Sequence, residues 1–205
     1  MEIIYILDLF GTFTFAVSGA LSAAGKKFDL FGALSIGFAT AVGGGTVRDL
    51  TLGATPVFWL SDVNYLLVIA AGVFVVFLFA RHVLAYGRVL LFFDALGIGV
   101  FTLIGINRAL GAGVLPIFAV LMGVITAVVG GVLRDVLVNE VPLIFRSEVY
   151  ATACLLGGGV YFLLAASGVP QAVVFFSTAA FVTGLRLLAI RYRFHLPVVK
   201  VGGKR

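Results

Sequence analysis

Long runs without any charged side chain are the feature that most restricts how this chain folds. Residues 30–47, 63–80, 109–133 and 149–185 contain no Asp, Glu, Lys or Arg. A helix needs about 20 mostly apolar residues to cross a bilayer, whereas the strands of a membrane barrel are about half as long and alternate in polarity. The runs therefore predict transmembrane helices.

The composition indicates the same class of protein. Hydrophobic residues make up 62% of the 205 residues, and charged residues make up only 11%. Soluble domains carry about 25% charged residues, so this chain has too few to cover a water-facing surface. We therefore expect an all-α integral membrane protein, with 1–205 forming a single membrane domain.

Seven membrane spans are predicted, because the 37-residue run 149–185 is interrupted by Ser167-Gly168-Val169-Pro170 and so divides into two. The predicted spans are 3–24, 30–52, 62–80, 89–107, 114–138, 148–166 and 171–190.

The basic residues predict how the chain is oriented. With seven spans the termini face opposite sides, and a cytoplasmic C-terminus places ten Lys and Arg residues inside and only Arg108 outside. This distribution follows the positive-inside rule. We therefore expect a multi-pass protein of the cell (inner) membrane, with its N-terminus outside and a basic cytoplasmic tail over 192–205. The net charge of +5 is explained by topology and anionic headgroups, so no nucleic-acid partner is expected.

An internal repeat relates the two halves of the chain at an offset of 86 residues. Residues 8–72 align without a gap onto 94–158, with 19 identities in 65 positions. The repeat divides the chain into helices 1–3 (3–85), helices 4–6 (89–168) and a seventh helix (171–191). Because each unit has an odd number of spans, the second unit enters the membrane from the opposite side. This predicts an inverted pair, as in many transporters.

A glycine motif occurs once in each repeat, in the second and the fifth predicted helix. Its members are Gly43, Gly44 and Gly45 in the first copy and Gly130 and Gly131 in the second. Each glycine inside a helix costs about 1 kcal/mol relative to alanine, so we expect a kink or a break in helices 2 and 5. Carbonyl groups freed by a broken helix are able to coordinate ions.

An Arg-Asp pair follows each glycine motif, Arg48-Asp49 in one repeat and Arg134-Asp135 in the other. A charge at this depth costs at least roughly 2.5–3.5 kcal/mol, so it faces a cavity or a partner. Adjacent residues of a helix do not face each other; we therefore expect pairing across the repeats, Arg48 with Asp135 and Arg134 with Asp49. The alternative is that the arginines extend to the interface while the glycines only allow close helix packing.

Two further polar pairs occupy equivalent positions in the repeats. Asp8 and Asp94 each open a repeat, either as carboxylates favoured at a helix start or as cation attractors at a pore mouth. Thr40 and Thr126 lie about one turn before the glycines. Their hydroxyls either line a pore or bond to their own backbone, and the second role is favoured.

No motif in the sequence is typical of an enzyme. Nucleophile–base pairs, phosphate-binding loops and metal-ligand spacings are absent, so we expect neither catalysis nor a bound metal. No cofactor is expected beyond a permeant monovalent cation such as K⁺ or Na⁺.

Together, the two glycine-rich helices, each followed by Arg-Asp, in a three-plus-three repeat of seven spans resemble the prokaryotic branch of the trimeric intracellular cation channel family. Members of this branch are also labelled UPF0126 proteins or putative glycine transporters. The resemblance implies a homotrimer in membrane lipid, with one potassium-permeable pore inside each protomer, lined by helices 2 and 5. The alternative is a secondary transporter of a small solute such as glycine, since inverted repeats with broken helices fit both.

Overall fold

Seven long helices and two short helical segments make up the described part of the chain. The structure is a computed structural model, and it describes residues 2–83, 88–146, 149–192 and 194. Of the predicted segments, the end of the first repeat (84–85), the start of the sixth span (148) and most of the tail (193 and 195–205) lie outside the described residues. The helices are α1 Glu2–Gly25, α2 Leu30–Thr51, α3 Asn64–Val83, α4 Val89–Gly111, α5 Pro116–Leu137, α6 Leu143–Arg146, α7 Ala151–Ala166 and α8 Gln171–Tyr192, and a 3₁₀ turn covers Phe58–Leu60.

Local sequence signals set the helix ends. The side chain of Asp29 accepts a hydrogen bond from the backbone N–H of Gly32 at 2.7 Å and so caps the start of α2. Pro116 opens α5, where a missing N–H has no cost. Past the helix ends, Gly53 and Asn139 both have a positive φ. These two residues are 86 positions apart, so the two halves of the chain end equivalent helices in the same way.

The surface of the helical bundle is that of a membrane protein. Five helices (α1, α2, α4, α5 and α8) are long and apolar enough to cross a bilayer, and shorter apolar helices cover Asn64–Phe79 and Ala151–Ala166. Large apolar side chains face outwards, among them Phe31 at 77% and Leu163 at 74% exposed. Such a surface requires lipid as its solvent.

Equivalent helices of the two halves pack against each other in opposite directions. On α1 and α4, the rings of Phe15 and Phe101 meet with their centroids 5.0 Å apart, and these residues are again 86 positions apart. Ser18 near the end of α1 is linked through Arg134 to Asp94 near the start of α4. The two helices are therefore antiparallel, and their contact forms the centre of the hydrophobic core.

The glycine motifs lie inside uninterrupted helices. The α-helical structure of α2 extends from Leu30 to Thr51 and that of α5 from Pro116 to Leu137. The expected break at the glycines is therefore wrong, because each helix maintains its own hydrogen bonding through the motif. A kink without a break stays a prediction.

Candidate functional site

Glycines bring α2 and α5 into backbone contact at the centre of the molecule. A Cβ atom built on Gly44 would collide with the carbonyl oxygen of Thr126, and one built on Gly130 would collide with the carbonyl oxygen of Thr40. The contact order, 40 with 130 and 44 with 126, shows that α2 and α5 are antiparallel. Gly43 similarly leaves room for the Leu133 side chain, whose Cδ1 would lie 2.5 Å from an added Cβ. Close helix packing is therefore one role of the glycine motif.

The Arg-Asp pairs lie at the C-terminal ends of these two antiparallel helices, so they form two separate clusters. We call Asp8, Arg48, Asp49, Phe58 and Tyr65 the Arg48 cluster. We call Ser18, Asp94, Arg134, Asp135 and Tyr150 the Arg134 cluster. Both arginines are almost fully buried, at 1% and 0% exposed.

In the Arg48 cluster the arginine pairs with its own neighbour. The Nε and Nη2 atoms of Arg48 lie 2.8 and 2.7 Å from Oδ1 of Asp49. Oδ2 of Asp49 accepts a hydrogen bond from the backbone N–H of Phe58 at 2.9 Å, and the guanidinium lies over the Phe58 ring, 5.3 Å from its centroid. One carboxylate therefore holds both the arginine and the loop that follows α2.

In the Arg134 cluster the arginine has a second acidic partner. Nε of Arg134 donates to Oδ1 of Asp135 at 2.8 Å, as in the first cluster. Its Nη1 also donates to Oδ1 of Asp94 and to the Ser18 hydroxyl, both at 2.6 Å. Oδ2 of Asp135 accepts from the backbone N–H of Leu143 at 2.9 Å. Arg134 thus joins α1, α4 and α5 at one point.

The predicted pairing of arginine and aspartate across the repeats is wrong. Each arginine bonds the aspartate that follows it in sequence, because its long side chain curves back along the helix even though the two Cα–Cβ bonds diverge. The antiparallel packing of α2 and α5 also places the two Arg-Asp pairs at opposite ends of the bundle. Pairing across the repeats is therefore out of reach.

The two amino-terminal aspartates have different environments. Asp8 is 1% exposed and accepts a hydrogen bond from the Tyr65 hydroxyl at 3.1 Å. Asp94 is fully buried and pairs with Arg134. Within the described residues, no nitrogen of Arg48 lies within 4.0 Å of the Asp8 carboxylate. Both aspartates are therefore buried inside the protein, and among the described residues only Asp94 has an arginine partner.

The threonines of the motif bond to their own helices. Thr40 donates to the carbonyl oxygen of Ile36, and Thr126 donates to that of Met122, both at 2.6 Å. This is the backbone role favoured from the sequence. The carbonyl oxygens of the same two threonines form the contact with Gly130 and Gly44, so these residues contribute to helix packing.

A cavity of about 470 Å³ opens at the end of the bundle that contains the Arg48 cluster. Its lining includes Ile4 and Tyr5 of α1 and Asn107 and Arg108 of α4. Asp8 follows Ile4 by about one turn of α1. The cavity therefore lies about one helical turn along α1 from the buried carboxylate of this cluster, and Asn107 and Arg108 contribute polar groups to it.

Sequence reasoning missed four members of the two clusters, Ser18, Phe58, Tyr65 and Tyr150, and also missed Arg186, which contacts Tyr150. Ser18 and Phe58 have no signal of their own among similar neighbours. Arg186 does have one, because it is a charge inside a predicted apolar span. Its side chain is 2% exposed and lies over the Tyr150 ring, 4.4 Å from its centroid.

Comparison with known proteins identifies the family. The family model described as "Glycine transporter" matches residues 5–81 and again 91–166. A UPF0126 membrane protein of Vibrio cholerae is 44% identical over 96% of this chain and 82% of its own length. The UPF0126 inner membrane protein YadS of Escherichia coli is 42% identical over 95% of both chains.

A solved structure has the same fold over nearly its whole length. It is described as the TRIC trimeric intracellular cation channel orthologue from Rhodobacter sphaeroides. It superposes with a TM-score of 0.90 at 40% sequence identity and covers 95% of this chain and 100% of that one. The chain therefore belongs to the UPF0126 family of membrane proteins, the prokaryotic branch of the trimeric intracellular cation channel family.

Proposed function

We propose that this protein is a monovalent cation channel of the inner membrane, permeable to potassium, with a pore inside each protomer. The observation that carries the proposal is the pair of buried Arg-Asp clusters at opposite ends of the antiparallel α2 and α5. Charged groups at this depth are expensive and are typical of ion pathways. The similarity to a solved cation channel supports the same function.

The proposed pathway follows the polar residues between the two clusters. A cation enters by the cavity beside Tyr5 and Arg108 and is attracted by the carboxylate of Asp8. Asp49 and Asp135 supply negative charge at the two ends, while their arginine partners limit how tightly a cation is held. Weak binding at several sites is what conduction requires.

The proposed architecture is an inverted pair of three-helix units, 3–85 and 89–168, with a seventh helix at 171–191. The antiparallel packing of α1 with α4 and of α2 with α5 supports this arrangement, as does the double match of the family model. We propose that the N-terminus faces outwards and the C-terminus the cytoplasm. We further propose a homotrimer surrounded by lipid, whose stoichiometry is measured by native mass spectrometry.

Recording from planar bilayers tests the channel. The purified full chain in symmetrical potassium chloride is expected to give unitary currents, which Asp49→Asn and Asp135→Asn should reduce. Asparagine preserves the shape of each side chain but removes its charge. The matched control is Asp29→Asn, which removes an exposed charge but retains a good helix cap. Unchanged currents in both test variants would remove these carboxylates from the pathway.

A secondary transporter of a small solute such as glycine is the second candidate, favoured by the description of the matching family model. A transporter alternates access to an enclosed site and gives no unitary current. Uptake of radiolabelled glycine into proteoliposomes, without currents in bilayers, would show that the protein is this transporter and not a channel.

A further inference from the structure

Arg186 on α8 is a buried charge to which the proposed pathway assigns no role. Its side chain is 2% exposed, on a helix of mainly apolar residues. Burying a guanidinium in a membrane helix is costly, so its partners indicate its purpose. Because α8 lies outside the internal repeat, this arginine has no equivalent in the first half of the chain.

The described contacts of Arg186 lead to the start of α7. Nη1 donates to the carbonyl oxygen of Val149 at 3.1 Å, and the guanidinium lies over the Tyr150 ring at 4.4 Å. A cation over an aromatic face within about 6 Å is attracted to it, and more strongly in a desolvated site. Arg186 therefore fixes both the backbone and the ring at this point.

The Tyr150 ring, in turn, reaches the Arg134 cluster. Its hydroxyl lies 3.4 Å from Oδ1 of Asp94, the atom that also accepts from Arg134. The same hydroxyl would lie 2.8 Å from a Cβ atom on Gly131. The glycine therefore leaves the space in which the Tyr150 hydroxyl meets the ion pair.

The Arg48 cluster also has a tyrosine on its aspartate, since Tyr65 donates to Asp8 at 3.1 Å, but among the described residues Asp8 forms no ion pair with Arg48. Position 45, equivalent to Gly131, leaves space for the Phe58 ring, which would come within 2.5 Å of an added Cβ. Arg48 lies over this ring and pairs with Asp49. The position equivalent to Ser18 is Ile104, which has no hydroxyl to offer. Of the two clusters, only the Arg134 cluster therefore contains an ion pair between the arginine and the aspartate of a neighbouring helix.

We propose that Arg186 is a positioning residue that holds the Tyr150 hydroxyl against Asp94 and so keeps the Arg134–Asp94 ion pair closed. This inference rests on the proposed channel, in which the closed pair ties α5 to α4 and narrows the pathway at the Arg134 cluster. Tyr150 and Arg134 donate to the same oxygen of Asp94, so the two contacts together fix the orientation of that carboxylate. Release of Tyr150 leaves the Asp94 carboxylate free to turn away from Arg134, and the pair then opens more often.

Single-channel recording of the full chain tests this role. Arg186→Gln and Tyr150→Phe should each raise the ratio of open to closed time about fivefold, the factor that one net hydrogen bond is worth. The unitary conductance of Arg186→Gln should not change, because Arg186 lies outside both clusters. The double variant should exceed Tyr150→Phe by little, since both changes act through one hydroxyl. Arg186→Lys keeps a cation over the ring and should restore part of the wild-type behaviour.

The matched control is Arg191→Gln, which removes an exposed basic residue from the same helix. It should leave the open-time ratio unchanged. An equal effect of Arg186→Gln and Arg191→Gln, or independent effects of Arg186→Gln and Tyr150→Phe, would overturn the proposal.

Cys154 gives a second readout that needs no current. It is the only cysteine in the chain, it is fully buried, and its Sγ lies 3.7 Å from the Tyr150 carbonyl oxygen. Its modification by a charged methanethiosulfonate in detergent should be faster in Arg186→Gln and unchanged in Arg191→Gln. A wild-type protein without currents would contradict the channel, while equal labelling rates in all three proteins would contradict the positioning role. If Arg186→Gln does not fold, Arg186→Lys and Tyr150→Phe replace it in both measurements.

Discussion

Gly44 of α2 lies directly against the carbonyl oxygen of Thr126 on α5, with no space for even one methyl group between them. The equivalent contact joins Gly130 to the Thr40 carbonyl oxygen. The packing at the centre of the molecule therefore requires glycine at these two positions, and a substitution by alanine tests it.

Gly44→Ala should destabilise the protein by at least about 1–3 kcal/mol, because the added methyl group meets backbone that has no room to move. The measurement is the melting temperature of the purified protein in detergent. The matched control is Gly159→Ala on the exposed face of α7, where an added Cβ has no neighbour within 4 Å. There alanine should raise stability by up to about 1 kcal/mol through helix propensity. Equal melting temperatures for the two variants would show that α2 and α5 are not in contact.

Asp94→Asn should be more harmful than Asp8→Asn, although the two residues are equivalent in the repeat. The first removes the carboxylate 2.6 Å from Arg134; because Arg134 keeps Asp135 as a partner, the loss should be smaller than the roughly 3–5 kcal/mol of a fully broken buried ion pair. The second alters only the hydrogen bond from Tyr65, which is worth about 1 kcal/mol. Thermal unfolding of the two variants side by side checks this difference. Similar losses would mean that Arg48 also depends on Asp8.

Thr40→Val should leave the cation selectivity of the channel unchanged. The Thr40 hydroxyl donates to the Ile36 carbonyl oxygen of its own helix, so it is not available to a passing ion. Valine has nearly the same shape and should cost only about 1 kcal/mol of stability. Reversal potentials in potassium and sodium gradients measure the selectivity. A shift relative to wild type would place the hydroxyl in the pathway.

The pH dependence of stability should reveal an exposed link between the two halves. Lys26, between α1 and α2, pairs with Glu140 after α5 at 2.6 Å, and Arg146 bonds the same carboxylate. The Lys26 and Arg146 contacts lower the pKa of Glu140 below its ordinary value. A carboxyl whose pKa is lower in the folded state stabilises the fold above its unfolded pKa, and this contribution is lost as the pH falls through the folded pKa.

The melting temperatures of wild type and Glu140→Gln should therefore differ at neutral pH and converge as the solution is acidified below the ordinary glutamate pKa. Both residues are exposed, so the difference should also shrink at high salt. A gap that widens on acidification would contradict the ion pair. The control is Glu2→Gln, which removes a carboxylate at the start of α1. Asp29→Gln is not suitable because it also removes a helix cap.

The sequence predicted the helices well because their signal is local. Five of the predicted spans contain a helix long and apolar enough to cross a bilayer, and the other two contain shorter apolar helices, since an apolar run of sufficient length has few other structures available to it in lipid. The equivalence of Asp8 with Asp94 and of Arg48 with Arg134 was likewise visible in the gapless alignment. The glycine break was wrong because propensity is a weak prior, and the contact between α2 and α5 outweighs it.

The contacts of the two arginines could not be predicted from the neighbouring sequence. Arg48 and Arg134 have the same neighbours in sequence, yet only Arg134 reaches the aspartate of the neighbouring helix. The difference comes from Phe58 beneath one guanidinium and Ser18 beside the other. Ser18 is 116 residues from Arg134 in the chain, while Phe58 lies in the loop after α2, and both reach the guanidinium only through the fold.

The amino-acid sequence by itself determined that this is a helical membrane protein, because hydropathy and charge are properties of the chain alone. The tertiary structure decided which charges meet, because a long side chain selects its partner from whatever the neighbouring helices present. Arg186 illustrates this. Its position in an apolar helix marked it as unusual, and only the packing of α8 against α7 gave it Tyr150 as a partner.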